Sequence, residues 1–206
     1  GNNTWFESLA PFPKKSYNLK FKDKTDLFGF GSAKNWVLLA DYADKSLARN
    51  YLAHLLGNAM DGMDYNVKSR HVELFINGTY LGVYLLTEKI EVDIERVNIS
   101  KSANADTGYL LERDSYVKNE GVEGTDYFIL RTAYGEYCFG VKSPSFKDTN
   151  AFYVNYISSY MQNVFDKLYG ASFSELETLL DIDSFVDSYI INELFHTPDI
   201  NWSSFY

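Results

Sequence analysis

The sequence predicts an α+β protein in which strands come first and helices come last. Two patterns support this prediction. Up to about residue 141 the apolar residues alternate or form short runs between turn residues, whereas from residue 154 they recur every three or four positions. With 206 residues, 46% of them hydrophobic, the chain can bury a substantial core. We expect a strand-rich N-terminal part and a helical C-terminal part, not a doubly wound sheet.

The N-terminal signals begin with an alternating stretch at residues 15–22, which predicts a half-buried strand. Lys15 shares the apolar face of this stretch, so its side chain either reaches solvent at an edge or points into a cleft. The apolar run at residues 36–40 predicts a short buried strand. Asp44 then precedes a helical pattern over residues 46–58 and is its predicted N-cap.

A β-hairpin is the clearest local signal in the chain. Two apolar runs, residues 71–76 and 80–87, flank Asn77-Gly78, the dipeptide most typical of a two-residue hairpin turn. The polar segment that follows, residues 88–93, is a candidate bridge to a second lobe. Further short strands are predicted at residues 108–114, 127–131 and 136–141.

The last quarter of the sequence carries helical periodicity. An apolar stripe over residues 154–168 ends at Gly170, and a short helix is predicted over residues 174–180. Asp183 is the predicted cap of the final helix, which Pro198 ends. The predicted buried face of that helix consists of Phe185, Val186, Tyr189, Ile190 and Leu194.

Composition excludes several classes of function. The net charge of −9, without a cluster of Lys and Arg, argues against nucleic-acid binding. The chain has no apolar run of about 18 residues, so we expect no membrane span. A single cysteine, Cys138, excludes an internal disulfide and a cysteine-based zinc site. The three histidines lack metal-ligand spacing, and neither a G-x-S-x-G elbow nor a Walker P-loop occurs.

Polar residues at the end of the chain form the first candidate site. Asp199 lies just beyond a helix and beside Asn201 and Ser204, where a carboxylate could orient a hydroxyl or a magnesium ion. Pro-Asp-x-Asn is also ordinary turn chemistry, so the residues alone leave both readings open. Lys15 leaves a similar choice, because a cleft lysine commonly binds phosphate.

Two glutamates and the aromatic content give weaker signals. Glu88 and Glu112 each lie where a predicted strand ends, and each could pair with a lysine or simply be solvated. Aromatic residues make up 17% of the chain, which suits strand packing but also carbohydrate binding. The carbohydrate hypothesis requires a strip of aromatic rings on one exposed face.

A series of motifs then occurs in a fixed order: GNNTW at 1–5, PKKSY at 13–17, WVLLA at 36–40, DKSLARN at 44–50, GVYLLTE at 82–88, RVNI at 96–99, GYLLE at 108–112 and D-x-N-x-x-S-F-Y at 199–206. This series resembles the spore-coat protein H (CotH) family of atypical protein kinases, and it spans nearly the whole chain. The resemblance implies a kinase-like fold, with residues 1–87 as an N-lobe and residues 88–206 as a hinge and partial C-lobe.

The resemblance also implies a function and a setting. Such proteins use ATP and Mg²⁺ to phosphorylate Ser or Thr in Ser-rich partners, and they are secreted, at the cell surface or in the spore coat. Relatives also occur beside dockerin or carbohydrate-binding modules, which the parent protein could carry elsewhere.

Site roles follow from the resemblance as expectations. Asp199 would accept the proton of the substrate hydroxyl, with Asn201 or Ser204 assisting at magnesium. The turn containing Asn3 would cover the phosphates. The remaining ATP-binding candidates are Lys15 and Lys14, either of which could bind the phosphates, together with Glu88, Lys89 and Glu112.

Some family features are absent from these 206 residues. Residues 46–58 contain no Glu to pair with a phosphate lysine, so the expected partner is Glu88 or Glu112. The family's Trp-Asp-x-Asp motif, whose acid binds magnesium, does not occur here. We therefore expect a domain truncated at both ends, with an active full-length kinase and an inactive piece. The alternative is a non-catalytic kinase-fold module for spore-coat, cell-surface or cellulosome assembly.

Overall fold

The computed structural model of the chain describes residues 12–144, 151–197, 200 and 202–206. It contains two antiparallel sheets and four α-helices in the described part, which confirms the α+β class. The chain divides into two compact units. The first comprises the residues up to Ile90 together with Asp187–Phe195, and the second comprises Glu91–Val186 and His196–Tyr206. The lobe boundary expected at residues 87 and 88 stays a prediction.

The first unit is built on a four-stranded antiparallel sheet. Its strands are β1 (Tyr17–Asp26), β2 (Ser32–Leu39), β3 (Ser69–Ile76) and β4 (Thr79–Glu88). Their order across the sheet is β1-β2-β4-β3. The β3–β4 turn is the predicted Asn77-Gly78 pair, with φ angles of 50° and 80°. Positive φ at both positions is the type I′ geometry that matches strand twist, so the hairpin is confirmed.

One face of this sheet forms the core of the first unit. Trp36 is completely buried there, with its indole Nε1 donating a 3.2 Å hydrogen bond to the Ala33 carbonyl. Tyr17, Leu19 and Phe21 pack against this cluster from alternate positions of β1. The alternation predicted for the first strand is therefore confirmed.

The first helix, α1 (Arg49–Gly57), starts three residues later than predicted. Leu47 has a φ of 56°, which a right-handed helix does not allow. The N-cap is Ala48 and not the predicted Asp44, although the Asp44 carboxylate accepts hydrogen bonds from the main-chain N–H of Arg49 at 2.9 Å and of Ser46 at 3.0 Å. The same hydrogen bonds hold the pKa of Asp44 down at about 2. The turn around Ser46 thus replaces the first helical turn.

The second unit contains a three-stranded antiparallel sheet and the helices α2 and α3. The strands are β5 (Leu110–Arg113), β6 (Tyr127–Thr132) and β7 (Gly135–Ser143), in the order β5-β7-β6, with one 3₁₀ turn at Val117–Asn119. The long helix α2 (Ala151–Leu168) packs on this sheet. Val154 and Ile157 of α2 join Phe128, Leu130 and Val141 in the core.

The last two helices are α3 (Phe173–Leu176) and α4 (Ile182–Phe195). Asp181, and not the predicted Asp183, precedes α4 and accepts a hydrogen bond from the Ser184 N–H at 3.3 Å. The buried face predicted for α4 is wrong, because its five apolar residues are 44–65% exposed. Periodicity identifies side chains that can be buried, but burial also requires an element packed over them. No helix in the described part of the chain is long and apolar enough to cross a membrane.

Candidate functional site

Lys14 is held inside the first unit by main-chain oxygens. Its ammonium donates hydrogen bonds to the carbonyl of Ala40, at 2.7 Å, and to that of Val83. The same ammonium lies 4.3 Å from the centroid of the Tyr84 ring, a cation–π contact. Burial lowers the pKa of Lys14, and the nearby Asp41 acts against that effect. Two of its three N–H donors therefore bind main-chain carbonyls. This arrangement favours a structural role for Lys14, and its ATP-binding role stays a prediction.

Asp41 is a charged neighbour of Lys14 that the sequence did not single out. It follows β2 with a φ of 45°, and its Oδ1 accepts a 2.7 Å hydrogen bond from the Asn50 side chain. Its other oxygen, Oδ2, is buried and has no hydrogen-bond partner among the described residues. Burial accordingly raises the pKa of this carboxyl group.

The other predicted residues of the first unit occupy different surroundings. Lys15 is half-buried two residues before β1, whereas Lys89 is exposed just after β4. Glu88 is only 2% exposed, and its Oε2 accepts hydrogen bonds from the Lys68 main-chain N–H at 2.7 Å and from the Tyr65 hydroxyl at 3.4 Å. Glu88 therefore fixes the segment that enters β3. The ATP-binding roles of these residues stay predictions.

Glu112 lies in the second unit and forms a tight ion pair with Lys142. The residue is 6% exposed, and its Oε2 is 2.6 Å from the Lys142 ammonium. Glu112 is opposite Gly140 in β7, and the pairing shifts between Leu110 and Leu111, so Lys142 is the extra residue of an irregularity close to Glu112. Glu112 therefore pairs with a lysine, which was one of the two alternatives that the sequence left open. The lysine in this contact is Lys142, and not Lys14 or Lys15.

Tyr206 completes this cluster from the end of the chain. Its hydroxyl donates a hydrogen bond to the Glu112 carboxylate, and burial together with the negative charge of Glu112 raises the pKa of Tyr206 well above its usual value. Glu112, Lys142 and Tyr206 are called the carboxylate–lysine cluster below.

The closing segment of the chain is residues 199–206. Its described part is attached to β5 and to the residues that follow β5 by main-chain hydrogen bonds. The N–H of Arg113 donates to the carbonyl of Phe205 at 2.7 Å, and the N–H of Ser115 donates to the carbonyl of Trp202 at 2.8 Å. Ser204 lies between these anchors with a φ of 65°. Asn3, Asp199 and Asn201 lie outside the described residues, so their predicted roles stay predictions, as does that of Ser204.

In the carboxylate–lysine cluster the Lys142 ammonium is paired with the buried Glu112 carboxylate, which also accepts a hydrogen bond from the Tyr206 hydroxyl. Lys142 keeps 35% of its side chain exposed, so the ammonium can also meet an anionic ligand such as a phosphate. In the described part of the chain no group of three His, Cys, Asp or Glu side chains could hold a metal ion. Sequence patterns did not identify Lys142 and Tyr206 as site residues, because only the β5–β7 pairing and the course of the closing segment bring them to Glu112.

Fold and site together define an α+β protein in which a partly exposed lysine is anchored by a buried carboxylate. The particular family follows from comparison with known proteins. The chain belongs to the CotH kinase protein family, whose model matches residues 7–206. No curated protein and no solved structure matches the chain. Membership confirms the resemblance and indicates a kinase-like or spore-coat role.

Proposed function

We propose that this protein is an ATP- and magnesium-dependent protein kinase that phosphorylates Ser or Thr hydroxyls of Ser-rich coat or cell-surface proteins. The observation that carries the proposal is the ion pair, at 2.6 Å, between the buried Glu112 and the partly exposed Lys142. Family membership over residues 7–206 supports a kinase-type reaction.

Phosphoryl transfer depends on positioning and charge neutralisation more than on covalent chemistry by the protein. A lysine paired with a glutamate is a recurring device for this task in protein kinases. Glu112 holds Lys142 in one place, and Tyr206 supports Glu112 through its hydroxyl. The remaining N–H donors of Lys142 would then contact the phosphates of ATP.

The proposed reaction moves the γ-phosphoryl group between two oxygens. The bond from phosphorus to the ADP oxygen breaks, and a bond from phosphorus to the substrate hydroxyl oxygen forms. The hydroxyl proton passes to the Asp199 carboxylate and then to solvent. Asn3, Lys15, Lys14, Glu88 and Lys89 are the further proposed ATP contacts.

Magnesium would neutralise charge on the phosphates when bound. Such ions usually take one or two protein carboxylates, with phosphate oxygens and waters completing the shell. Asn201 and Ser204 carry oxygen donors and are the residues of this chain that would contact the ion.

The test measures phosphate transfer from labelled ATP to a Ser-rich peptide, and autophosphorylation, in the full-length protein. Lys142→Ala should lower the rate about 100-fold, as expected when one charge-stabilising donor is removed. A lone buried Glu112 carboxylate would also destabilise the fold, so the double variant Lys142→Met/Glu112→Gln separates charge from folding. It should remain folded and be equally slow.

The matched control is Lys118→Ala, which removes an exposed lysine lying 3.8 Å from Glu136 in the same unit. Its transfer rate should equal that of the unaltered protein. A folded double variant with an unchanged rate would overturn the role of Lys142. An unchanged rate for Asp199→Ala would overturn the role of Asp199, and absence of transfer by the unaltered protein would favour the non-catalytic assembly module.

A further inference from the structure

The outer face of α2 carries aromatic rings where a solvent-facing helix usually carries charges. Val154, Ile157 and Val164 form its buried face. On the opposite side, positions spaced by three and four residues form what we call the aromatic face: Phe152, Asn155, Tyr156, Ser159, Tyr160 and Asn163. The three rings are 61%, 41% and 44% exposed, respectively. The surface here is a shallow open depression lined by the first five of these residues.

The helix segment that carries the aromatic face has no charged side chain. Although 23% of the chain is charged, no charged residue occurs from Ala151 to Phe165. Between the rings lie the amide of Asn155 and the hydroxyl of Ser159, which make no side-chain hydrogen bond with the described residues. The face therefore offers ring surfaces and neutral hydrogen-bonding groups side by side.

One ring of this face also contacts a ring outside α2. The Tyr156 ring stacks on that of Tyr109, with centroids 6.4 Å apart and an interplanar angle of 17°. Tyr109 is anchored in turn, because its hydroxyl donates a 2.7 Å hydrogen bond to the Ala105 carbonyl. An ordered ring loses little conformational entropy on binding, which favours a ligand-binding role over incidental exposure.

We propose that the aromatic face of α2 binds a neutral glycan chain. One face of a sugar ring presents C–H groups that stack on aromatic rings, while its hydroxyls at the edge need amide and hydroxyl partners. Four helical residues rise about 6 Å, so Phe152, Tyr156 and Tyr160 present rings in succession along a linear polymer. The absence of charge from Ala151 to Phe165 complements an uncharged polymer and provides no cation for an acidic one.

This site is separate from the proposed transfer chemistry. None of its residues belongs to the carboxylate–lysine cluster, so glycan binding and phosphate transfer can be measured independently. The glycan site would hold the protein on a polysaccharide surface through α2.

The experiment is affinity electrophoresis of the protein in gels containing soluble xylan, galactomannan or mixed-linkage β-glucan, with polygalacturonate as the charged comparison. At least one neutral polymer should retard the unaltered protein, and polygalacturonate should not. Tyr160→Ala should weaken the retardation about tenfold, since it removes one ring from an exposed surface. Tyr160→Phe keeps the ring and should retain binding.

The control is Tyr134→Ala, because Tyr134 is 68% exposed but lies in the β6–β7 turn, off the aromatic face. It should bind the polymer as the unaltered protein does, and Tyr160→Ala should leave phosphate transfer unchanged. The proposal is overturned if no neutral polymer retards the protein, or if Tyr134→Ala and Tyr160→Ala behave alike. Sedimentation showing a dimer that Tyr160→Ala dissociates, without polymer binding, would assign the face to a second copy instead.

Discussion

At the scale of single residues, His54 couples the fold of the first unit to pH. It lies on α1, and its Nδ1 is 3.0 Å from the hydroxyl oxygen of Ser69 in β3. Burial lowers the pKa of His54 from 6.5 to about 4. Between these two values the unfolded chain binds a proton that the folded chain does not. Stability is therefore complete above pH 6.5 and falls as the pH drops towards 4.

The expected loss between pH 7 and pH 4 is at most about 3 kcal/mol from this histidine. His54→Gln should reduce the pH dependence of the free energy of unfolding by about that amount, measured by urea denaturation at several pH values. His196→Gln is the control, because it replaces an exposed histidine by the same residue. Identical curves for His54→Gln and the unaltered protein would contradict the prediction.

At the scale of elements, Gly108 determines how the chain enters β5. Its N–H donates a 3.0 Å hydrogen bond to the Ser100 carbonyl, and a Cβ atom at this position would lie 2.7 Å from the same oxygen. It would also lie 2.8 Å from the Cβ of Ile99. Gly108→Ala should therefore displace the main chain at Ser100 and lower the free energy of unfolding by about 1–3 kcal/mol.

Gly170, just after α2, provides the comparison for this substitution. A Cβ atom there would meet nothing within 4 Å. Gly170→Ala should be neutral or stabilise the protein by up to about 1 kcal/mol, because alanine restricts the unfolded chain. Both variants are compared by thermal and urea denaturation, and equal effects would show that the close approach at Gly108 does not determine stability.

Local sequence signals predicted the elements whose stability depends on nearby residues. The hairpin at Asn77-Gly78 needs only two residues with positive φ, and α2 needs only its apolar stripe. The start of α1 was missed because Leu47 adopts a left-handed conformation that no propensity predicts. The exposed apolar residues of α4 were missed because burial depends on what packs over a helix.

In the candidate site, too, nearby residues were enough to predict one member, whereas the others depend on contacts between distant parts of the sequence. Glu112 could be singled out from the end of a strand, but Lys142 is 30 positions away in sequence and Tyr206 is further still. The β5–β7 pairing and its irregularity at Lys142 bring this lysine to the carboxylate, and such an irregularity is not visible in the sequence. The functional pairing therefore could not be predicted from spacing alone.

At the scale of the whole molecule, the net charge of −9 opposes the binding of an anionic nucleotide. Binding of ATP therefore depends on local cations and on magnesium. Lys142, fixed by the buried Glu112, is such a local cation. The proposed function therefore predicts that ATP and magnesium stabilise the folded protein, which can be measured without phosphate transfer.

ATP with Mg²⁺ at 100 times its dissociation constant should stabilise the full-length protein by about 2.7 kcal/mol, which raises the melting temperature by roughly 5–10 °C. ATP without magnesium should give a smaller shift, since its phosphate charge then remains unneutralised against an acidic protein. The folded double variant Lys142→Met/Glu112→Gln should lose most of the shift, whereas Lys118→Ala should keep it. No shift for the unaltered protein at millimolar ATP and Mg²⁺ would contradict the prediction and favour a role in assembly without nucleotide.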